Sequence, residues 1–275
     1  MIKLEHVVLV SPEQMEFIIE GMRNPMNSWE KSDSYTNYTS DIEDEDGLIV
    51  DYRIPYLRIG SADNALMLKL SNAGTDHRKF MRMMPVYVRI TAPLYWWKEF
   101  DTYKVATVAN SCSTMHKIQE KEFTLADFSC EHLITDWIGD NNDAMYHWDM
   151  HAGEMLIPLF ASPIDGLKVI IGLLNSNREA YLKTKDKKYW WQMIQLLPSS
   201  YNQTRNVMLN YEVLANIYKS RKNHRLDEWR VHETPEEHKF RNKDFTSGKW
   251  GFCDWIETLP YSELITGNVT DKENE

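Results

Sequence analysis

The stretch that decides the fold begins Pro85-Val86-Tyr87-Val88-Arg89-Ile90-Thr91-Ala92-Pro93. It continues Leu94-Tyr95-Trp96-Trp97-Lys98-Glu99-Phe100-Asp101-Thr102-Tyr103-Lys104-Val105-Ala106-Thr107-Val108-Ala109 and closes on Asn110-Ser111-Cys112-Ser113-Thr114-Met115-His116. Val86, Val88 and Ile90 alternate with Tyr87, Arg89 and Thr91, the period of a strand with one buried face. Ala92-Pro93 interrupts the strand, and a helix is predicted from Leu94 to about Ala109. Glu99, Tyr103 and Thr107 would share one face of that helix at i, i+4 and i+8.

Working outward, Lys3–Val10 reads as a strand, and Ser11-Pro12-Glu13 starts a helix with a cap residue followed by Pro at its first position. Met15, Ile18, Ile19 and Met22 continue it at helical spacing. Asn27–Gly47 is polar and reads as a surface loop. Ser61–Ala73 is a second helix, with Leu66, Met67 and Leu70 as its stripe and Gly74 as its stop. Thr124-Leu125-Ala126-Asp127 resembles a capping box that opens a helix. Ser162–Leu197 reads as one or two long helices stopped by Pro198, and Thr204–Arg221 as another helix. His232–Gly251 is polar and reads as an inserted loop, and residues 266–275 form a charged tail. The pattern is α+β, helix-rich with a small sheet, in a single domain over 1–265.

Composition narrows the function classes. Among 275 residues, 31 Lys+Arg stand against 41 Asp+Glu, a net charge of −10. That balance argues against nucleic acid, which needs clustered basic residues. The longest apolar candidate, Leu167–Leu174, is far short of the ~20 residues of a membrane span. Cys112, Cys130 and Cys253 are odd in number and lack CxxC spacing, so a reducing, cytoplasmic location is expected, without disulfides or a zinc ribbon. Ten Trp, 14 Tyr and 14 Met could wall a site for ring ligands or fill a thick core.

A strand, Ala-Pro, a polar helix and a loop ending N-x-x-S resemble the flavin-dependent thymidylate synthases, the ThyX family. The family signature R-H-R-x-x-S-x-N-x-x-S-x-R runs here as Thr102-Tyr103-Lys104-x-x-Thr107, one extra residue, then Asn110-x-x-Ser113-x-Met115. Leu66–Gly74 leading to Phe80 looks like the family's helix–Gly–H-x-S-P-F segment. Leu197-Pro198, Thr204, Leu209-Asn210, Leu214, Arg221 and Glu228-Trp229 look like its L-P…L-N-x-R…L-R…Q-W-E stretch. The segments keep the family order and cover about half the chain.

The resemblance implies a homotetramer with sites between subunits, FAD as cofactor, and NADPH and methylenetetrahydrofolate as co-substrates for methylation of dUMP at C5. It implies that Arg221 polarises the pyrimidine, that Ser113 and Glu99 line it, and that Tyr103, Lys104, Thr107, Asn110 and Asn210 hold the flavin. If one helix ran through 204–221, Asn210 and Arg221 would lie on one stripe about 16 Å apart. No membrane or nucleic-acid partner and no metal are expected. A pyrimidine-nucleotide C5 hydroxymethylase of the same fold, and a non-catalytic flavin- or nucleotide-binding relative, are the alternatives.

Four positions depart from the family: Thr102, Met115, Ile194 and Glu212 stand where it carries arginines. Such arginines bind phosphate by charged, forked hydrogen bonds that Thr, Met, Ile and Glu cannot make. Arg78, Lys79, Arg82, Arg205 and Lys219 are the nearby basic residues that could take over. Elsewhere, His147, Asp149, His151 and Glu154 have spacing compatible with a metal or with an ordinary hydrogen-bonded cluster. Cys112 reads as a small packed residue. His116 and His224 read as structural or as ligand contacts. Of the pairs Trp96-Trp97 and Trp190-Trp191, one member each at most can face a pocket.

Overall fold

Ser11 starts the first helix as its sequence dictates. Its hydroxyl accepts from Gln14 N, and Gln14 Oε1 accepts in return from Ser11 N at 2.9 Å. The computed structural model describes residues 2–39, 42–43, 49–50, 54–136, 146–148, 156–158, 162–232 and 251–267. In chain order the first elements are strand β1 (Lys3–Val8), helix α1 (Pro12–Arg23), strands β2 (Tyr35–Tyr38), β3 (Ile42–Glu43), β4 (Ile49–Val50) and β5 (Pro55–Arg58), and helix α2 (Ser61–Asn72). Strand β6 (Pro85–Pro93), helix α3 (Leu94–Phe100), strand β7 (Val108–Ser111) and helix α4 (Thr114–Lys117) follow. Strands β8 (Tyr146–Trp148) and β9 (Leu156–Pro158) precede helices α5 (Pro163–Thr184) and α6 (Lys187–Leu196), then strand β10 (Asn202–Asn210) and helix α7 (Tyr211–Arg221). Two short helices, Phe252–Glu257 and Glu263–Thr266, end the described chain. The architecture is α+β and helix-rich with a small sheet, as the residue patterns predict.

Two compact units divide the chain. The larger holds Ile2–Ile90, Glu99–Asn110 and Arg205–Glu275; the smaller holds Thr91–Lys98 and Ser111–Thr204. The main sheet has the order β1-β6-β10-β7. In the larger unit Val86, Val88 and Ile90 of β6 and Val207 and Leu209 of β10 are buried, while Tyr87 between them is half exposed. That alternation is the period of two read from the sequence. Helix α1 buries Met15, Ile18, Ile19 and Met22, the stripe its spacing predicts. Helix α2 buries Asp63 and Met67, whereas Leu66 and Leu70 of the predicted stripe are only partly buried; it ends at Asn72 and is followed by Gly74 at φ +101°.

The Asn27–Gly47 region is not the plain loop expected. Strand β2 pairs antiparallel with β5, Thr36 opposite Leu57 and Asn37 opposite Tyr56. The turn before it is organised by the buried Asp63 carboxylate. Arg23 Nε donates to it at 2.6 Å, Ser32 Oγ at 2.8 Å, and the Asp33 and Ser34 amides at 3.0 Å. Burial pushes this carboxyl up, but the hydrogen bonds from Ser34, Ser32, Arg23 and Asp33 outweigh it and hold it below the usual carboxylate range.

In the smaller unit α5 and α6 pack together, so Ser162–Leu197 resolves into two helices. Ser162 and Asp186 cap them, and Lys185 at φ +58° makes the break between them. Thr124 forms its capping box, yet the helix it opens is only the single 3-10 turn Leu125–Asp127. Both Trp96 and Trp97 are fully buried and meet edge-on at 4.9 Å. Among the described residues no helix is long and apolar enough to cross a membrane. The segment 233–250 and the tail from 268 lie outside the described residues.

Candidate functional site

The site is built at the C-terminal end of α7. This helix begins at Tyr211, not near Thr204, because 202–210 is strand and Asn210 is extended at φ −135°. Asn210 Oδ1 accepts from Val213 N at 3.0 Å, and the residue is 4% exposed. The expected flavin ligand is therefore the buried cap of the helix that carries Arg221. One helix of 11 residues separates the two, about 16 Å at 1.5 Å per residue.

Helix α3 is also shorter than predicted, because it stops at Phe100. Thr102 Oγ1 donates back to Glu99 O at 2.7 Å, Ala106 takes φ +60°, and strand β7 begins at Val108. Thr, Val and Asp in 101–108 favour turn and strand over a helix interior. Glu99, Tyr103 and Thr107 thus share no helical face. Two of them still meet Arg221. Arg221 Nη1 donates to Glu99 Oε2 at 2.8 Å, and Nε donates to Tyr103 Oη at 3.0 Å.

The guanidinium lies over the Trp229 ring, with its carbon 5.2 Å from the centroid. Trp229 is fully buried and stacked on Phe100 at 6.4 Å, and Phe252 meets it edge-on at 5.7 Å. This aromatic floor fixes the height of the charge, while Glu99 and Tyr103 fix its direction. His224 completes the group: its Nε2 lies 2.8 Å from Arg221 Nη1 and 3.5 Å from Glu99 Oε2, and Nδ1 accepts from Leu226 N at 3.2 Å. Because Nδ1 accepts from Leu226 N, the neutral ring carries its proton on Nε2, which faces Glu99 Oε2. The only sequence signal for His224 was its place three residues past Arg221.

The remaining expected residues are not gathered with Arg221. Lys104 and Thr107 line, with Phe100, Asp101, Tyr103 and Ala109, a cavity of about 100 Å³. Thr107 Oγ1 is buried there without a hydrogen-bond partner among the described residues. Asn110 sits on the edge strand β7, exposed on the sheet surface. Ser113, in the smaller unit, caps α4, its hydroxyl accepting from His116 N at 3.3 Å. Cys112 is exposed, whereas burial pushes the Cys253 thiol far up. His147 lies on β8, paired with Ile157, but Asp149, His151 and Glu154 fall outside the described residues. Among the described residues no three metal-ligating side chains cluster.

At the four departures the structure holds other chemistry. Ile194 packs on the apolar cluster of the smaller unit, and Met115 is half exposed. Glu212, in the first turn of α7, binds Arg82 through both carboxylate oxygens, and Arg78 Nη2 donates to Asn216 Oδ1 at 2.7 Å. Arg205 donates to Asp101 at 2.7 Å.

No protein-family model and no curated protein sequence matches the chain. Solved structures do. Thymidylate synthase X from Helicobacter pylori, solved with FAD and dUMP, superposes with a TM-score of 0.50 at 12% identity over 96% of this chain and 95% of that one. The UMP/dUMP methylase PolB from Streptomyces cacaoi, bound with 5-Br dUMP, superposes with a TM-score of 0.48 at 12% identity over 97% of this chain and 94% of that one. The fold of this chain is that of the flavin-dependent thymidylate synthases.

Proposed function

We propose that the chain is a flavin-dependent enzyme of the thymidylate synthase type, methylating dUMP at C5 with methylenetetrahydrofolate and NADPH. The observation that carries this reading is the convergence of Glu99, Tyr103 and Arg221 on one point. The three come from two separated segments, and both belong to the stretches that carry the family resemblance.

The residues around Tyr103 fit a flavin edge. A buried hydroxyl without a partner, as at Thr107, is costly unless a ligand satisfies it. Tyr103 offers a ring face and Lys104 a cation beside it. A cavity of about 100 Å³ admits an edge of a ring system and no more. The rest of the ring then needs walls from elsewhere, in keeping with a site completed by a second subunit of a homotetramer. Asn210 commits its amide oxygen to the helix cap, which leaves its amide nitrogen to meet a ligand.

Arg221 donates to a pyrimidine carbonyl and withdraws electron density from the ring. Glu99 keeps the guanidinium oriented, and the Trp229 face keeps it away from bulk water. The one-carbon unit of methylenetetrahydrofolate forms the new bond at C5, and the C5 hydrogen leaves as a proton. Bound FAD, reduced by NADPH, supplies the hydride that completes the methyl group. The products are dTMP, tetrahydrofolate and NADP⁺.

Arg221→Lys keeps the charge but loses the fork that spans Glu99 and Tyr103. We expect kcat/KM for dUMP to fall about 100-fold, on the order of 3 kcal/mol of transition-state stabilisation. Steady-state NADPH oxidation with dUMP and methylenetetrahydrofolate reads this. An Arg221→Lys enzyme with unaltered kcat/KM removes Arg221 from the chemistry.

A further inference from the structure

Arg78 and Arg82 have no role in the chemistry described above, yet they are built into a site. Arg82 belongs to the 3-10 turn Lys79–Met83 and Arg78 immediately precedes it; both reach α7. Arg82 Nη2 donates to Glu212 Oε1 at 3.1 Å, and its Nε donates to Glu212 Oε2. Arg78 Nη2 donates to Asn216, one helical turn beyond Glu212, and Arg78 Nε lies 3.7 Å from Glu212 Oε1. That Nε is buried and makes no hydrogen bond among the described residues. Two guanidiniums thus share the Glu212 carboxylate. Lys219 is exposed seven residues beyond Glu212, on the same stripe of α7. Asp76 is the other carboxylate whose field reaches Arg82.

Glu212 acts here as an organiser. Its two oxygens hold the plane of Arg82 while using two of five N–H groups, so three remain to donate elsewhere. Half of the Arg82 side chain is open to solvent, against 16% for Arg78. Paired, oriented guanidinium forks match the tetrahedral oxygens of a phosphoryl group.

We infer that Arg78 and Arg82, held by Glu212 and Asn216, form a phosphoryl-binding site that replaces the arginines missing at 102, 115, 194 and 212. The phosphoryl group is either the monophosphate of the nucleotide or the pyrophosphate of the dinucleotide cofactor. The choice between these two rests on the reading under Proposed function; the site itself does not.

Inorganic pyrophosphate is the first probe, with thermal unfolding of the full chain as readout, on wild type, R82M and R82K. Arg82 is half exposed, and each variant's melting temperature without pyrophosphate is its own reference. Pyrophosphate is expected to raise the melting temperature of wild type, to leave R82M unmoved, and to act weakly on R82K, which keeps charge without the fork. Equal shifts in wild type and R82M, or none in either, overturn the site. Paired titrations then identify the source: FAD against riboflavin, and dUMP against deoxyuridine. The preference for the phosphorylated member of the responsible pair should fall about tenfold or more in R82M. If neither riboflavin nor deoxyuridine binds wild type while pyrophosphate discriminates R82M, the flavoenzyme reading fails and this site stands.

Discussion

Thr107 separates a ligand site from a fortuitous cavity at the level of one atom. Its buried hydroxyl has no partner among the described residues, so the Thr107→Val protein should unfold at the same temperature or slightly higher. Flavin affinity of the same variant should fall about tenfold, one hydrogen bond's worth. Differential scanning fluorimetry and a flavin titration read the two effects. Unchanged flavin affinity would remove Thr107 from the cofactor site. Asp63 represents the opposite kind of residue, a buried carboxylate with every contact satisfied. Asp63→Ala leaves Arg23 buried without its ion, and should cost about 3–5 kcal/mol in urea unfolding. Because its folded pKa lies below the unfolded value of about 3.9, its contribution is complete above that pH. It is lost as pH falls through the folded value. A stability difference between wild type and variant that shrinks as the pH falls tests the sign; a difference that grows would contradict it.

Elements show where sequence reading worked and where it stopped. Strand β6 and helix α1 were legible because burial follows one clean period in each. The 204–221 segment was misread because Val207 and Leu209, two apart, merge with Val213, Leu214 and Ile217 into an apolar run without a clear break. Asn210 is that break, and a cap between strand and helix looks like any polar residue within a helix. Helix α3 was extended too far for a related reason: Thr102 bonding back to Glu99 is a local event with no hydrophobic signature. Strand β2 escaped notice because both its faces are largely exposed, so no alternation marks it.

The candidate site was legible in part, since Glu99, Tyr103 and Arg221 do meet. Their meeting does not come from the shared helix face predicted; a turn and the end of α7 bring them together. His224 joins through a loop whose path no periodicity encodes. The same elements carry a further prediction. Asp254 joins His232 to Gly251, accepting from His232 N at 3.0 Å and from Gly251 N at 2.9 Å and pairing with the His232 ring. A Cβ on Gly251 would lie 2.2 Å from Arg230 O and 2.8 Å from Asp227 O, both backbone atoms close to Trp229. Gly251→Ala must therefore shift the chain beneath the Arg221 floor. We expect a loss of about 1–3 kcal/mol in denaturant unfolding and weaker dUMP binding in calorimetry. A variant with wild-type stability would show that this backbone approach is not tight.

For the whole molecule, the charge balance first read as an exclusion has become a structural statement. The acid excess argued against nucleic acid, and the missing arginines at 102, 115, 194 and 212 seemed to argue against a phosphorylated ligand as well. The fold answers the second point by bringing Arg78 and Arg82 to Glu212 from a separate segment. The aromatic surplus divides in two: Trp96 and Trp97 are core, while Phe100, Trp229 and Phe252 form the floor under Arg221. At 12% identity the fold is shared with thymidylate synthase X over nearly the whole chain, and the residues that would perform the chemistry are largely this chain's own. The central claim is that the chain binds and reduces a flavin. Its most direct test is the absorbance spectrum of the purified protein, incubated with FAD, freed of unbound cofactor and then mixed with NADPH. The account predicts visible flavin bands that remain with the protein and bleach on adding NADPH; a colourless protein that retains no FAD would contradict it.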